Sequence, residues 1–381
     1  MPNDARIPFN RPFIVGKELF YVSKAVLAGH LAGDGVFTQQ VNAWLERVYD
    51  AKLALLTNSC TAALEISAYL CNVGPGDEVI MPSWTFVSTA NAFAIRGARI
   101  RFIDIREDTL NIDESRIEEA ITDRTKAIVP VHYAGVSADM EEICRIGKKH
   151  GIPVVEDAAQ GVNATYQNRY LGTIGELGCY SFHETKNFIS GEGGALLIND
   201  DKYAERAQII REKGTNRTAF RKGVVDKYTW IDFGSSYLPS EIVAAFLFAQ
   251  LEEAETITHT RRAVFSYYAH AFRPLHDRGL LRMPITPRQC RHNAHMFYLI
   301  MASREERDGL IRFLDERNIQ AVFHYIPLHS SPKGREVAIG PEELPVTDDI
   351  AGRLVRLPCY FGLERSDQDR VIEAVEAFVD R

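Results

Sequence analysis

The sequence lacks any run approaching the roughly 18 to 20 apolar residues that a membrane span requires. Its opening, MPNDARIPFN, lacks the apolar core of a secretion signal, and a cytoplasmic location is the expectation. Basic residues are not in excess: 44 Lys and Arg stand against 51 Asp and Glu, a net charge of -7. Nucleic acid is therefore not an expected partner, because phosphate backbones are met by basic surfaces. A small phosphorylated ligand needs only a local pocket. The six cysteines (Cys60, Cys71, Cys144, Cys179, Cys290 and Cys359) are scattered, with no CxxC pair. They read as reduced thiols, and neither a disulfide framework nor a metal site is expected. Repeats of about 20 to 50 residues and low-complexity tracts are also missing, which excludes solenoids and arrays.

What is present is a chain of 381 residues, 46% hydrophobic and 25% charged, enough for about two ordinary domains. Short apolar runs alternate with amphipathic stretches. The runs are Lys52–Leu56, Glu78–Met81, Ile100–Ile103, Ala127–Val131, Pro153–Val155, Cys179–Phe182 and Ala195–Ile198. Helices are expected between many of them, at Ser59–Leu70, Glu114–Ile121 and Met140–His150. Apolar strands with helical crossovers predict an α/β fold with a mostly parallel sheet covered on both faces. After about residue 250 the pattern changes to a long charged helix from Gln250 to about Arg273, a helix at Glu305–Arg317 and irregular stretches. This reads as a smaller α+β domain, giving a division at 1–250 and 251–381.

In such a sheet, ligands bind beyond the carboxyl ends of the strands. The polar residues there are Asn58-Ser59-Cys60-Thr61, Ser83-Trp84-Thr85, His132-Tyr133, Glu156-Asp157 and His183 through Lys186. Lys186 follows a strand and precedes Gly191, Gly193 and Gly194. Its ordinary alternative is a solvated surface lysine; its chemical reading is an amine able to form an imine with a carbonyl cofactor. Asp157 reads either as a helix cap or as the partner of a cationic ring nitrogen. The segment from Asn58 to Thr61, between strand and helix, reads as a cap or as a phosphate anchor. Ser181, five residues before Lys186, is a second phosphate candidate. Trp84 is either core or a platform under a flat ring. The order of phosphate loop, aromatic, acid and lysine, each at a strand end, points to one cleft holding pyridoxal 5'-phosphate.

In this order the chain resembles the sugar nucleotide aminotransferases of the fold-type I pyridoxal-phosphate superfamily. The resemblance runs through PFNRPFIVGKEL, GHLAGDG, EVIMPSWTFVSTANA, PVHYAG, VVEDAAQ, SFHETKN and GEGGA. It implies a large domain with a seven-stranded, mostly parallel sheet, an N-terminal arm of about 15 residues, and a small C-terminal domain. It implies that Lys186 forms the imine, Asp157 pairs with the ring nitrogen, Gln160 lies near the ring hydroxyl, Trp84 stacks on the ring, and Cys60, Thr61 and Ser181 contact the phosphate. It also implies a homodimer with shared active sites. Many relatives carry G-x-N-x-R where this chain reads Gly234-Ser235-Ser236-Tyr237-Leu238, so Ser236 stands where an Asn reaches across the dimer to the phosphate.

SCTAALE, HETKN, REKGTNR, VDKYTW, RHNAHMFY and FHYIPLH are similar to the branch that aminates dTDP-4-keto-6-deoxyglucose to dTDP-4-amino-4,6-dideoxygalactose for enterobacterial common antigen. The implied amino donor is L-glutamate, in ping-pong exchange. The sugar nucleotide carries a diphosphate, for which Lys213 and Arg217 are candidates; His324 and His329 are candidates for the sugar or the diphosphate. The NAHMFY aromatics are expected in the small-domain core. Three alternatives stand: a 3-aminotransferase on a 3-keto sugar nucleotide, a dehydratase on the same scaffold, and a non-catalytic sensor of pyridoxal phosphate or sugar nucleotide. Lys186 speaks against the dehydratases that carry His in its place.

Overall fold

A computed structural model describes residues 5–221 and 223–381. Its centre is a sheet built from β1 (Leu53–Thr57), β2 (Glu78–Pro82), β3 (Arg99–Ile103), β4 (Thr125–Ile128), β5 (Val155–Asp157), β6 (Leu177–Ser181) and β7 (Gly194–Ile198). The order across the sheet is β1-β7-β6-β5 and then β4-β2-β3, the two halves joined by parallel bridges from Ile128 to Val154 and from Val131 to Asp157. Of these seven strands, β7 alone runs against its neighbours. Beyond β3, Ala338–Ile339 adds a short parallel edge.

Successive residues in a strand face opposite sides, and here both sides are dry. Leu56, Ile80 and Leu197 face one core with Val41, Leu45, Ile143 and Leu247. Leu55, Val79, Met81 and Leu196 face the other with Ala63, Leu64, Ile66 and Phe93. The helices that supply these residues begin where the sequence offers caps. Ser59 is extended and accepts the Ala62 amide in front of Cys60–Leu70. Asp139 accepts the Glu142 amide in front of Met140–His150, which has acids in its first turn, Lys148, Lys149 and His150 in its last, and Gly151 at φ 68° beyond. That charge order complements the helix dipole.

Two expected helices differ. Glu114–Ile121 is two 3₁₀ turns, Glu114–Arg116 and Glu118–Ala120. The Asp113 carboxylate accepts both the amide and the hydroxyl of Ser115, which tightens the first turn. The long charged helix expected from Gln250 begins instead at Ala254 and ends at Ala271, with Gln250 in a separate helix, Glu241–Glu252.

Toward the C-terminus, β8 (Phe297–Ile300), β9 (Val322–Phe323) and β10 (Leu354–Leu357) form an antiparallel sheet with β10 in the middle. It packs with Tyr268, Phe272, Leu310, Phe313 and Val371 into a further core. The N-terminal segment joins this core: Ile7 is buried there and bridges Ile319. Among the described residues no helix is long and apolar enough to cross a membrane.

Candidate active site

The carboxyl ends of β5 and β6, the amino end of β7 and the start of the helix Cys60–Leu70 meet at one edge of the sheet. The approach of β7 is close. A Cβ at Gly194 would lie 2.3 Å from the Cys60 nitrogen, so only glycine lets that strand start against the Ser59–Cys60 turn. Between this edge and β10 lies a cavity of about 590 Å³, of the size that holds a cofactor-like ligand. Ser59, Cys60 and Thr61 line it, so the helix start, whose first amides have no intrahelical acceptors, opens into it.

Glu156 and Asp157, adjacent on β5, do different work. Glu156 is fully buried and accepts the amides of Gly172 (2.8 Å), Ile174 (2.6 Å) and Gly175 (2.7 Å), and His132 Nε2 at 2.8 Å. It is a structural carboxylate. Asp157 points into the cavity. Its Oδ2 accepts the Thr89 hydroxyl at 2.6 Å and its Oδ1 the Ala159 amide at 3.1 Å. The single Thr89 proton is spent on Asp157, so Thr85 must donate in the 2.7 Å Thr85–Thr89 contact. The carboxylate is thus oriented by donors.

Lys186 lies in the loop between β6 and β7. That loop is pinned by Phe182 N to Gly193 O, Glu184 N to Gly191 O, and Lys186 N to His183 O, each 2.9 Å. Its amine lines the cavity and makes no hydrogen bond or ion pair with a described residue. Burial pushes its pKa down, with Arg356 adding to the effect and Cys60 and Asp157 opposing it. A neutral, unpaired amine is the nucleophilic form. The Cys60 thiol is pushed well up by burial and is not a nucleophile.

Gln160 lines the cavity with both ends of its amide engaged, accepting from Ala134 N (2.7 Å) and donating to the Tyr325 hydroxyl (2.9 Å). Ser181 and His324 also line it. His324 Nδ1 meets the Tyr133 hydroxyl at 2.7 Å. Burial holds this imidazole well below its ordinary pKa, so it is uncharged.

Other expected residues fall elsewhere. Trp84 does not line the cavity; it is 1% exposed and packs edge-on to Tyr325 and beside Tyr133. The backbone turn after β2 sends it into the core with Met296, Tyr298 and Leu354. Phe86, two residues on, lines the cavity and is 56% exposed. His329 is also outside the cavity. Its ring is held by Ser83 Oγ (2.7 Å) and Asp348 (3.3 Å), and it fixes the turn after β9 to the end of β2. Lys213 is exposed and Arg217 lies 3.7 Å from Glu212; neither lines the cavity of this chain. Ser236 is exposed, and its carbonyl accepts from Asn58 Nδ2 at 3.2 Å.

Sequence reasoning missed Phe9, Phe86, His295 and Arg356, all of which line the cavity. The NAHMFY aromatics are core, as expected, but His295 among them faces the site. The signal for Arg356 was a lone charge in an otherwise apolar strand, LVRL.

Residues 14–376 match the DegT/DnrJ/EryC1/StrS aminotransferase family. The chain belongs to that family. It is 34% identical to the spore coat polysaccharide biosynthesis protein SpsC of Bacillus subtilis, over 98% of this chain and 97% of that one. Its structure is similar to that of the aminotransferase TlmJ from Streptoalloteichus hindustanus, with TM-score 0.90, 30% identity, and 98% and 99% of the two chains covered. DesV of S. venezuelae, solved with a ketimine intermediate, matches with TM-score 0.89 and 29% identity over 99% of each chain. This sugar aminotransferase uses pyridoxal phosphate. The cavity fits that cofactor on its own evidence: an unpaired amine, an oriented carboxylate and a helix start share one space of suitable volume.

Proposed function

We propose that this aminotransferase moves an amino group from L-glutamate to the keto carbon of a nucleotide-linked 4-keto-6-deoxy sugar. The substrate read from the closest motif resemblance is dTDP-4-keto-6-deoxyglucose, the product dTDP-4-amino-4,6-dideoxygalactose, and the setting the cytoplasmic supply of sugars for a surface polysaccharide such as enterobacterial common antigen. The observation that carries the transaminase chemistry is the free Lys186 amine sharing a cavity with the donor-held Asp157 carboxylate.

The bound cofactor supplies an aldehyde that carries the amino group and a cationic ring that stores the electron pair left when a C–H bond breaks. Asp157 keeps the ring nitrogen protonated; each unit of pKa so gained is worth about 1.4 kcal/mol. The amides at Cys60 and Thr61, with the Ser181 hydroxyl, hold the phosphate. Gln160 and Phe86 line the same cavity and would contact the bound ring, Phe86 in the part expected of Trp84. Lys186 Nζ would take the proton from the donor Cα and, in the second half-reaction, give a proton to the sugar carbon that receives the nitrogen. Such positioned acid–base work contributes roughly 10²- to 10⁴-fold.

With a division at 1–250 and 251–381, the cavity would lie between a large cofactor domain and a small domain that supplies β10. A homodimer completes the reading. Ser236, Lys213 and Arg217, which do not line this chain's own cavity, would serve the partner's phosphate and diphosphate. The test is incubation with L-glutamate and either the 4-keto or a 3-keto sugar nucleotide, followed by NMR location of the new nitrogen. Nitrogen at C4 is expected; nitrogen at C3 supports the 3-aminotransferase, and no exchange with any amino acid supports a sensor.

A further inference from the structure

We propose that His295 Nε2 accepts a hydrogen bond from the Lys186 amine whenever that amine is free, and so positions it for proton transfer; the proposal rests on the transaminase reading above. A lysine amine ends a flexible four-carbon stem with rotatable donors. Lys186 Nζ lies buried on the cavity wall with no ion pair to a described residue. Its work is at one carbon atom, where a misplacement of about 1 Å costs about 100-fold in rate. Something in the wall must steer it. A carboxylate in that place would favour the ammonium form and weaken Lys186 as a base. A neutral acceptor steers amine and ammonium alike and leaves the group free to change charge.

His295 stands just before β8 and lines the same cavity. Burial holds its pKa well below the ordinary value, so the ring is neutral, and Lys186 is the charge that acts on it most strongly. The two side chains are therefore neighbours. Two asparagines set the tautomer. Asn187 Nδ2 donates to Asn293 O at 2.8 Å, an atom that can only accept, so Asn187 Oδ1 must take the proton of His295 Nδ1 at 3.0 Å. The bare lone pair is then on Nε2, which has no partner among the described residues and belongs to the ring edge left for the cavity. The frame behind it is stiff. Asn293 Nδ2 donates to Gln160 O and Val162 O, both at 2.8 Å, and its Oδ1 accepts the His295 amide at 3.0 Å. Gly135 packs so closely on that oxygen that a Cβ there would lie 2.0 Å from it. Asn187 follows Lys186 in the chain, so the group that fixes the ring belongs to the loop that carries the amine.

Other polar groups on the wall are committed differently. His324 has the opposite tautomer. The Tyr133 hydroxyl is buried, and the one described acceptor in its reach is His324 Nδ1 at 2.7 Å, so His324 Nε2 carries the hydrogen. A donor cannot hold an ammonium. Gln160 spends both ends of its amide on Ala134 and Tyr325. Burial keeps the Cys60 thiol protonated. Asp157 is engaged by Thr89 and Ala159 and faces the cofactor ring in the reading above. His295 Nε2 is the bare, uncharged lone pair beside Lys186.

The first test needs no turnover. NMR of the cofactor-loaded enzyme with isotope-labelled histidine should show His295, assigned by its loss in His295→Gln, with its hydrogen on Nδ1. A hydrogen on Nε2 overturns the proposal. The second test follows each half-reaction by absorbance, with glutamate carrying hydrogen or deuterium at Cα. His295→Phe keeps the bulk of the ring and removes the acceptor. It should slow both half-reactions by a similar factor, about 100-fold, with a larger deuterium effect than wild type. Binding of α-methyl-L-glutamate, which has no Cα proton to lose, should change less than about threefold. His295→Gln, whose amide keeps a donor for Asn187 and an acceptor for Lys186, should stay within about 10-fold of wild type. If the Phe variant does not fold, His295→Ala replaces it, and added imidazole should restore part of both rates. A loss confined to the sugar half-reaction, a loss of donor binding, or unchanged rates overturn the proposal. A wild type that exchanges no amino acid sinks the transaminase reading instead.

Discussion

At the scale of single residues, the desolvated Lys186 amine makes the cofactor-free protein sensitive to pH in a defined direction. Its folded pKa lies below 10.5, so between the two values the unfolded chain binds more protons and stability rises with pH. Lys186→Met in the cofactor-free protein should therefore melt above wild type at neutral pH, the gap closing as pH climbs toward 10.5. A gap that widens with pH would contradict this. Phe86 and Trp84 give an opposed pair. Trp84→Ala should cost the fold about 3 to 5 kcal/mol by opening a core cavity, measured by denaturant unfolding. Phe86→Ala should leave stability within about 1 kcal/mol and instead weaken cofactor retention in dialysis. The sequence offered two aromatics after β2, and nothing in it said which the turn would bury. Lys186 and Asp157 were legible because a strand end fixes where the next side chains emerge. Arg356 and His295 were hidden by apolar neighbours that read as core.

At the scale of elements, the helices around the site depend on carboxylate and hydroxyl caps, and one cap is supplied from far along the chain. Glu241 accepts the amides of Gly35 (3.1 Å), Phe37 (2.7 Å) and Thr38 (3.0 Å) at the start of Val36–Tyr49. Gly35 itself offers no side-chain cap, so this helix start was not visible in local sequence. Glu241→Gln should cost about 1 to 3 kcal/mol, because an amide turns a donor toward backbone donors; a chemical denaturation midpoint measures it. At the helix that opens into the cavity, Ser59→Ala should cost about 1 kcal/mol. The amphipathic stretches predicted Cys60–Leu70 and Met140–His150 well. They failed at Glu114–Ile121, where eight residues were too few to repay nucleation of an α-helix against the Asp113 turn.

At the scale of the whole molecule, apolar side chains remain uncovered on helix Glu18–Leu27 and on the segment before Glu241. Leu19 is 69% exposed, Leu27 85%, Trp230 72% and Phe233 64%. Such a surface fits a homodimer. Sedimentation should give twice the chain mass, and Leu27→Asp should shift the molecule toward monomer. If sites are shared, mixing Lys186→Ala protein with a partner-side Ser236→Trp variant should restore part of the activity each lacks alone. The mostly parallel sheet was legible because its strands are apolar on both faces. The break at Glu253 and the pairing of Ile7 with Ile319 were not, since both are set by tertiary packing across distant sequence.

The chemistry proposed for the cavity depends on the amine at position 186. Borohydride reduction of the cofactor-loaded enzyme, followed by peptide mapping, should place the pyridoxyl label on Lys186 and leave the Lys186→Ala protein unlabelled. A label on another lysine, or an equally labelled Lys186→Ala protein, would contradict the account.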